Sequence, residues 1–556
     1  GTLIGSAGVA SSAAGTRSWL DSRASIVTGP GNVSIIGTGS TGATVTGNNG
    51  VQINTINGVS STSGNIQITG TSGTGTGTDY GVRIIGTSPL TTGGATLGVT
   101  GKSISTGATT TNVGIDISGA SKLTNSNAAG VIDLNGAGGG GAGTNRFGVN
   151  IAGSTVQATA GGSINVTGVG GGKFAGINIA ATNPVIGNAA TKNITLTASN
   201  GGGGDALALA AGSKLLGAGT LTIQGPNAAT TMGIGGAASA LFNVQVNTTE
   251  LGFIQPGFAD IVFGRSDGTG AITVAAGATK SNTTIQGASS NMTINGAFAT
   301  TGSKLTLSTG GTVTETGVGT LTVNAGAGAL QLQNGGTFNL TNNNNTGTLN
   351  ANGASLNFRD DTGFIVSGIT TTGNITLSTA GNVTQTGTIV TPGALNLNGV
   401  GGVYDLCTQN NDIAALNANT KTIAFKDINT YALGTLSLTG ALELAGNFGT
   451  SGNVTTTSFL FDAPTQNITF TNSGNIGTLA ANVAGLNYSQ ANNLVIGKVT
   501  NTFCSPGTTS GITSSGNVTI KTTGANSDIS LAANTPIAFT GAAPGIVTVP
   551  ADERPP

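Results

Sequence analysis

Gly-Asn-Ile-Thr-Leu at residues 373–377 is the stretch that decides the fold. A Gly-Asn pair precedes alternating aliphatic and polar residues, and the same pattern returns at residues 31–35, 64–68 and 516–520. Alternation with a period of two predicts short β-strands with one buried face, and a dense repeat predicts one structural unit stacked many times. We therefore expect function to lie in an extended surface.

The spacing of these strands predicts a coil that is repeated along the chain. Between residues 305 and 340 alternating segments recur about every eight residues, so roughly three of them would form a coil of about 20 to 30 residues. Glycine-rich inserts at residues 136–143 and 201–204 are interpreted as loops at one corner of the coil. In the first half a Gly-aliphatic-polar-Ile phrase recurs once per coil, at 50–53, 81–84, 114–117, 148–151 and 176–179.

Stacked coils of this kind predict an all-β fold, specifically a right-handed parallel β-helix (β-solenoid) in the form of an elongated rod. Parallel pairing would place successive coils about 4.8 Å apart, which gives a rod on the order of 100 Å long. The preference for right-handed crossovers favours the right hand. Asn residues at the turns tolerate left-handed backbone and are expected to form amide ladders between coils.

Composition shifts along the chain predict five segments. Residues 1–26 form a cap or joint, 27–225 a β-helix section with coils of about 30 residues, 226–270 a junction, 271–545 a second β-helix section, and 546–556 a tail. The ends of a solenoid expose unpaired strand edges, so charged residues there are interpreted as a cap or an end-to-end joint. The candidate joint residues are Arg17, Trp19, Asp21, Arg23, Asp552, Glu553 and Arg554.

The composition argues against several classes of function. Only 7% of the 556 residues are charged, the net charge is −1, and the Lys and Arg residues are scattered, so we expect no nucleic-acid partner. No apolar run approaches the ~20 residues of a membrane span. The chain has no His, which removes His-based catalysis and metal binding, and we expect no cofactor. Because the sequence begins at Gly1, without Met or a signal peptide, we expect a processed chain or an excerpt.

The sequence pattern of the second half resembles that of large bacterial exoproteins of the filamentous haemagglutinin type. The resemblance rests on residues 373–387, 395–397 and 411–419, and on the similar phrase at 474–482 and 493–497. Residues 261–270 also look like a segment of giant repetitive surface proteins of Gram-negative bacteria. The resemblance implies a right-handed β-helix exported to the cell surface, where it serves adhesion or surface coating.

Two clusters of residues suggest chemistry that competes with a structural role. Asp360 and Asp361 beside Arg359 could serve a polysaccharide-degrading β-helix, but adjacent residues of a strand point to opposite faces. Residues 200–207 form one imperfect copy of a calcium-binding nonapeptide, and a single copy lacks the neighbours that such a site needs. Asp267 is interpreted as a turn residue. We therefore predict no catalytic and no metal-binding residues.

The two cysteines are the remaining candidates. Cys407 and Cys504 are 97 residues apart, which is about four coils or near 20 Å in a regular stack, whereas a disulfide needs Cα atoms within about 7 Å. Buried, unpaired thiols are therefore the favoured interpretation. The alternative is a disulfide, formed if insert-like segments at residues 404–411 and 502–509 fold toward each other.

These observations predict a non-enzymatic, secreted structural or adhesive rod on a bacterial cell surface. Its polar faces would contact a host or neighbouring cell, glycans or other matrix components through many weak, repeated interactions. The alternative is a self-assembling fibre or sheath subunit that stacks head to tail. A polysaccharide-active enzyme is the third hypothesis.

Overall fold

The computed structural model describes residues 3–7, 19–20, 25–40, 47–75, 77–106, 111–141, 143–239, 241–501, 503–504, 507–541 and 545–548, with backbone alone for 3–7, 19–20 and 501. The chain divides into two compact units, Gly1–Thr309 with Thr316–Gly319, and Gly310–Glu315 with Thr320–Pro556. Both units are built from β-strands, and nearly all of the described strand pairs are parallel. The all-β, parallel-strand prediction is thus confirmed.

In the first unit the chain visits three parallel ladders in turn and then returns to the first. The first ladder contains Leu3–Ala7, Val33–Thr38, Ile66–Thr71, Thr96–Lys102, Val131–Ala137, Ser163–Gly170, Asn193–Asn200, Thr220–Gln224, Asp260–Phe263, Thr283–Gln286 and Lys304–Ser308. The second contains Trp19–Leu20, Val51–Ile53, Asp79–Ile84, Asn112–Ser118, Val149–Ala152, Ile177–Ala180 and Leu207–Leu209. The third contains Ile26–Thr28, Val59–Ser61, Pro89–Thr92, Lys122–Asn125, Thr155–Ala158, Val185–Gly187 and Lys214–Leu216.

The repeat becomes shorter across residues 226–270. Before them Ile66 pairs with Leu97, whereas after them Ile272 pairs with the much nearer Met292. The one α-helix among the described residues, Thr248–Leu251, lies in this stretch, where Asn247 caps it and forms a capping box with Glu250. The remaining strands of the first unit are Met232–Ile234, Val244–Val246, Ile272–Val274, Gly277–Thr279, Met292–Ile294 and Ala297–Thr300.

The second unit keeps the shorter repeat, as in the pairing of Leu330 with Leu349 and of Leu356 with Ile375. Several of its strands continue through a corner of the coil without a break, so a single strand covers more than one side of the coil. Its elements are Thr312–Glu315, Thr320–Val323, the 3-10 turn Asn324–Gly326, Ala329–Gln333, Thr337–Asn344, Thr348–Gly353, Ser355–Asp360, Gly363–Thr371, Ile375–Ser378, Asn382–Gln385, Ile389–Asp427, Ala432–Leu438, Ala441–Ala445, Ser451–Asn472, Ile476–Gln490, Leu494–Ile496, Lys498–Asn501, Gly507–Ser510, Ile512–Ser514, Val518–Thr522, Ile529–Leu531, Ile537–Phe539 and Val547–Thr548.

The alternating pattern directs aliphatic side chains inward on every ladder. Because paired strands are in register, equivalent aliphatic residues of successive coils stack on one another and lose contact with water. Leu97, Ile132, Ile164 and Ile194 form one such column in the first ladder, and each is fully buried. Burial of these columns is the main stabilising contribution to each unit.

The Gly-Asn pair that opens the repeat has a specific hydrogen-bonding role. In the first unit Asn32 Oδ1 accepts the backbone N–H of Asn65 at 2.8 Å, and Asn65 Oδ1 accepts that of Thr96 at 2.9 Å. In the second unit Asn374 and Asn517 accept the N–H groups of Ala394 and Ile546 in the same way, at 2.9 and 3.2 Å. Each acceptor lies just before a strand, and its donor occupies the equivalent position of the next coil. The motif therefore continues the ladder through a corner, where backbone pairing alone would leave an N–H group unsatisfied.

Paired glycines bring the first and second ladders together at one corner of the first unit. A Cβ on Gly136 would lie closer than 3.0 Å to the carbonyl oxygen of Gly148 and 2.7 Å from Cγ2 of Val149, so no larger residue fits without displacing backbone. The described residues 138–141 of the glycine-rich segment predicted at 136–143, and the insert at residues 201–204, lie at this corner, between strands of the first and second ladders. The equivalent pairs in other coils are Gly37–Gly50, Gly70–Gly81, Gly101–Gly114 and Gly168–Gly176.

Buried amide side chains close corners of the second unit. Asn472 Oδ1 accepts the N–H of Val454 at 2.9 Å, and its Nδ2 donates to the carbonyl of the same residue at 3.0 Å. Gln490 makes the same two bonds to Ile476, each at 3.2 Å. These side chains replace a backbone partner without introducing a charge into the interior, which is consistent with the low charged fraction of the chain.

A cluster of aromatic rings fills the interior of the second unit. Phe461 is fully buried, and its ring centroid lies 4.2 Å from that of Phe459, 5.3 Å from Phe448, 5.9 Å from Phe470 and 6.3 Å from Tyr488. Phe459, Phe461 and Phe470 lie on the strand Ser451–Asn472, Phe448 precedes it and Tyr488 lies on the strand Ile476–Gln490. The cluster therefore ties neighbouring coils together over a large apolar contact area.

Cys407 and Cys504 form a disulfide, with their Cα atoms 5.0 Å apart. The favoured interpretation of unpaired thiols is therefore wrong. Cys407 lies within the strand Ile389–Asp427, so residues 404–411 are not an insert. Cys504 belongs to a hairpin formed by the antiparallel strands Lys498–Asn501 and Gly507–Ser510. The separation expected from the sequence assumes that both residues lie in a regular stack, whereas the hairpin reaches back across several coils.

Candidate binding surface

The outward side of the first ladder is a continuous polar surface. One column pairs Thr69, Thr100, Asn135, Thr167, Thr197 and Gln224 across successive strands. Beside it runs a second column of Gln67, Gly98, Asp133, Asn165, Thr195 and Thr222. All of these residues except Gly98 are partly or fully exposed. We call the two columns the first-ladder face.

The first-ladder face offers hydroxyl and amide groups at the spacing of the strands. Neighbouring members are separated by about 4.8 Å, the distance between paired strands. Thr and Asn side chains both donate and accept hydrogen bonds, and the only carboxylate among the members is that of Asp133. Burial raises the pKa of that carboxyl above its usual value. Apart from Asp133, the members present neutral hydrogen-bonding groups to an extended ligand.

A polar column on the second ladder is occupied by its own contacts instead. Asn178 Nδ2 donates to Asn150 Oδ1, and Asn150 Nδ2 donates to Asp116 Oδ1, both at 2.7 Å. Asp116 Oδ2 lies 3.5 Å from Arg83 Nε, and the Arg83 guanidinium lies over the ring of Tyr80, 4.6 Å from its centroid. This is the predicted amide ladder between coils, but it lies on strands rather than in turns. Its groups are engaged in holding coils together, so the first-ladder face is the better candidate for binding.

The structure separates the two carboxylates of the candidate catalytic cluster. Asp360 is fully buried and accepts hydrogen bonds from the backbone N–H groups of Thr346, at 2.7 Å, and Thr362, at 2.9 Å. Asp361 is on the opposite, exposed side, where Arg359 Nε lies 2.9 Å from its Oδ1. The prediction that the two adjacent side chains cannot share one site is confirmed. Asp360 acts here as a structural acceptor for a corner.

The carboxylate of the calcium-like loop also bonds to backbone. Asp205 Oδ1 accepts the N–H groups of Leu207 and Gln245, at 3.1 and 3.0 Å. Glu250 Oε1 accepts from Leu209 at 2.8 Å, while its Oε2 accepts from the N–H of Asn247 at 2.9 Å. Burial raises the pKa of Asp205 to about 6 and that of Glu250 to about 7, and at Glu250 the charge of Asp205 adds to the rise. The pair fastens strands to the helix turn that follows them.

The other predicted sites yield little new chemistry. Asp267 is held in a turn by Arg265, with Nε and Oδ1 2.7 Å apart. The part of the chain that the structure describes contains no group of three or more Cys, Asp or Glu residues arranged to hold a metal ion. Within that part, none of the helices has the length and apolarity needed to cross a membrane. The candidate joint residues Arg17, Asp21, Arg23, Asp552, Glu553 and Arg554 lie outside the described residues, and for Trp19 only the backbone is described.

Glu315 is a buried acid whose ionisation should destabilise the second unit. Only 7% of its surface is exposed, its Oε2 accepts the N–H of Asn342 at 2.7 Å, and its Oε1 has no hydrogen-bond partner among the described residues. Burial raises the pKa of Glu315 from 4.5 to about 7, against the opposing effect of its hydrogen bonds. The folded state therefore holds a proton that the unfolded chain has lost between these two values.

We expect the second unit to lose stability as pH rises from about 4.5 to about 7, because the contribution of protonated Glu315 is complete below the unfolded pKa and is lost through the folded pKa. The loss in the free energy of unfolding is on the order of 3 kcal/mol. Glu315→Gln should remove this pH-dependent loss, since a neutral amide oxygen still accepts the N–H of Asn342. Urea unfolding of both proteins between pH 4.5 and 8 tests this, and parallel pH profiles would contradict it.

The sequence indicates an insert-like segment at residues 502–509 but does not predict a hairpin, although signals for one are present. Gly497 and Gly511 bracket residues 498–510, where Val499, Phe503 and Cys504 interrupt an otherwise mostly polar stretch. Short antiparallel strands between two glycines are typical of a hairpin, but the dense repeat around them masks the break in pattern.

Searches for related proteins found no family model, no curated protein and no solved structure that matches this chain.

Proposed function

We propose that each unit is a right-handed parallel β-helix and that the chain is a non-enzymatic, extracellular structural or adhesive protein of a bacterial cell surface. The observation that supports this function is the first-ladder face, where polar side chains of successive coils are aligned in register. The cyclic order of the three ladders and the general preference for right-handed crossovers support the β-helix. The resemblance to filamentous haemagglutinin-type exoproteins supports the location.

The proposed partners are glycans or other components of a matrix or cell surface. Sugar hydroxyls pair readily with Thr hydroxyls and Asn amides, and a polymer can contact several coils at once. Each contact is weak, but contacts linked along one ligand raise the effective concentration of the next and so the total avidity. A flat, repetitive surface can therefore bind without a deep pocket.

A panel of immobilised polysaccharides, matrix proteins and intact cells, probed with the purified chain, would identify the partner. The variant with Thr69→Lys, Asn135→Lys and Thr197→Lys alters every second coil of the first-ladder face and keeps the new charges apart. We expect this variant to bind with an avidity lower by about tenfold or more, because the ligand can no longer contact several neighbouring coils at once.

The matched control places the same charges on the third ladder. Val27→Lys, Thr91→Lys and Gln157→Lys occupy one outward column there, again in alternate coils. We expect this variant to bind like the original chain. An equal loss in both variants, or binding that neither one alters, would contradict the assignment of the first-ladder face.

The alternative function is a self-assembling fibre or sheath subunit that stacks head to tail. Its support is the apolar exposure of strands near residue 540, where Leu531 is 56% and Val547 is 41% exposed. Edges of this kind can pair with another chain, and a head-to-tail contact that does not close generates a filament. Negative-stain images showing only separate particles at high concentration would exclude this alternative.

A further inference from the structure

The hairpin of the second unit covers a strip of three apolar side chains and one carboxylic acid on the outward side of a sheet. Ala424, Glu443, Leu460 and Ala480 pair in register across four strands, and each is at most 5% exposed. Their neighbours along the strands face the interior, so alternation places these four side chains outward. We call these four residues the covered strip. Water would contact it if the hairpin were absent.

The hairpin is seated on the covered strip mainly at its base. Val499 is 4% exposed and packs in one cluster with Leu460 and Ala480. A small cavity lined by Val499, Thr500 and Phe503 lies between the hairpin and the strands below. Packing beneath the hairpin is therefore incomplete.

Two different attachments hold the ends of the hairpin. At the base, Gly511 donates its N–H to the carbonyl of Gly497 at 2.9 Å, and Gly511 has a φ of +73° that favours glycine. At the tip, Cys504 is bonded to Cys407 of the strand Ile389–Asp427. The glycine pair can absorb a change in backbone direction, whereas the disulfide fixes the tip.

We propose that the hairpin is a redox-controlled strap: reduction of the Cys407–Cys504 disulfide releases the tip, and the hairpin turns about Gly497 and Gly511 to uncover the strip. The rest of the second unit stays folded, because its ladders and interior columns do not depend on the hairpin. The strap is closed in an oxidising environment and opens where dithiol reductants are present.

The chemistry is thiol–disulfide exchange with a dithiol reductant. Cys504 is partly exposed and Cys407 is buried, so a reductant thiolate attacks Sγ of Cys504 and releases the Cys407 thiolate, which takes up a proton. The second thiol of the reductant then attacks its own sulfur in the mixed disulfide and releases Cys504. Two electrons and two protons pass to the two cysteines, and the reductant leaves as a disulfide.

Amide hydrogen exchange of the full chain, with and without dithiothreitol, tests the strap. We expect the N–H groups of Lys498–Asn501 and Gly507–Ser510 to exchange about tenfold faster or more after reduction, as for a segment that opens locally. The strands Ala441–Ala445 and Ile476–Gln490 should keep their protection. An apolar fluorescent dye should bind more strongly to the reduced chain.

The double variant Cys407→Ser and Cys504→Ser is the matched control. It should behave like the reduced chain with or without dithiothreitol, which separates loss of the disulfide from other effects of the reagent. Unchanged exchange in the hairpin after reduction would overturn the proposal, because packing alone would then hold the strap. Faster exchange throughout the second unit would also overturn it, since the disulfide would then stabilise the whole unit.

Discussion

Replacing Gly136 with Ala is expected to lower the free energy of unfolding of the first unit by about 1 to 3 kcal/mol, the usual cost of overpacking a filled site. The added Cβ would lie closer than 3.0 Å to the carbonyl oxygen of Gly148, and backbone cannot rotate away as a side chain can. The first and second ladders must separate at this corner to admit it. Urea unfolding measures the loss, and hydrogen exchange should show it concentrated in Val131–Ala137 and Val149–Ala152.

Gly140→Ala, in the glycine-rich loop that follows this strand, is the matched control. A Cβ on Gly140 would meet only Cγ2 of Thr106, at an ordinary 3.7 Å, and the residue is exposed. Because Ala restricts the unfolded chain more than Gly, this change should be neutral or stabilising by about 0.4 to 1 kcal/mol. Equal losses from both substitutions would show that the loop as a whole, rather than the close approach at Gly136, limits the structure.

The two glycines also show which parts of the fold a sequence can predict. Gly136 and Gly140 stand in one run of residues that is almost entirely glycine, so no local signal distinguishes them. Period-two alternation and the Gly-Asn motif depend on neighbours within a strand, and they predict strands, buried faces and parallel stacking correctly. The close approach depends on Gly148, which directly precedes a strand of the second ladder and approaches Gly136 only after the loop between them has closed.

The same distinction applies to the candidate sites. Alternation alone separates Asp360 from Asp361, because it fixes which side of a strand each side chain faces. The sequence shows the register of the second ladder through its recurring Gly-aliphatic-polar-Ile pattern. The partners of the first-ladder face are harder to predict, because the coils differ in length and no equally regular pattern marks each of its strands. The step from Leu97 to its partner Ile132, for example, is longer than the step from Ile194 to Leu221. The disulfide is only the alternative interpretation of the sequence, because the expected distance between the cysteines assumes that both lie in a regular stack, whereas Cys504 lies in a hairpin outside it.

Phe461→Ala is expected to destabilise the second unit by about 3 to 5 kcal/mol, the range for removing a buried aromatic ring. Phe461 is fully buried between Phe459, at 4.2 Å, and Phe448, at 5.3 Å, and it also contacts rings from the neighbouring coils. The cavity would be bordered by residues fixed in parallel ladders, which limits how far the surroundings can collapse into it. Urea or thermal unfolding monitored by the signals of the second unit measures this loss.

Phe461→Leu serves as the graded control for this prediction. Leu refills much of the volume of the ring, so Phe461→Leu should destabilise the second unit clearly less than Phe461→Ala. The difference between the two losses reports the contribution of the cavity. Phe461 and Phe470 lie on one strand, and their rings are 5.9 Å apart and line one space. Phe461→Ala and Phe470→Ala together should therefore cost less than the sum of the two single changes. A loss below about 1 kcal/mol for Phe461→Ala would indicate that the coils are held by their backbone ladders and aliphatic columns without this cluster.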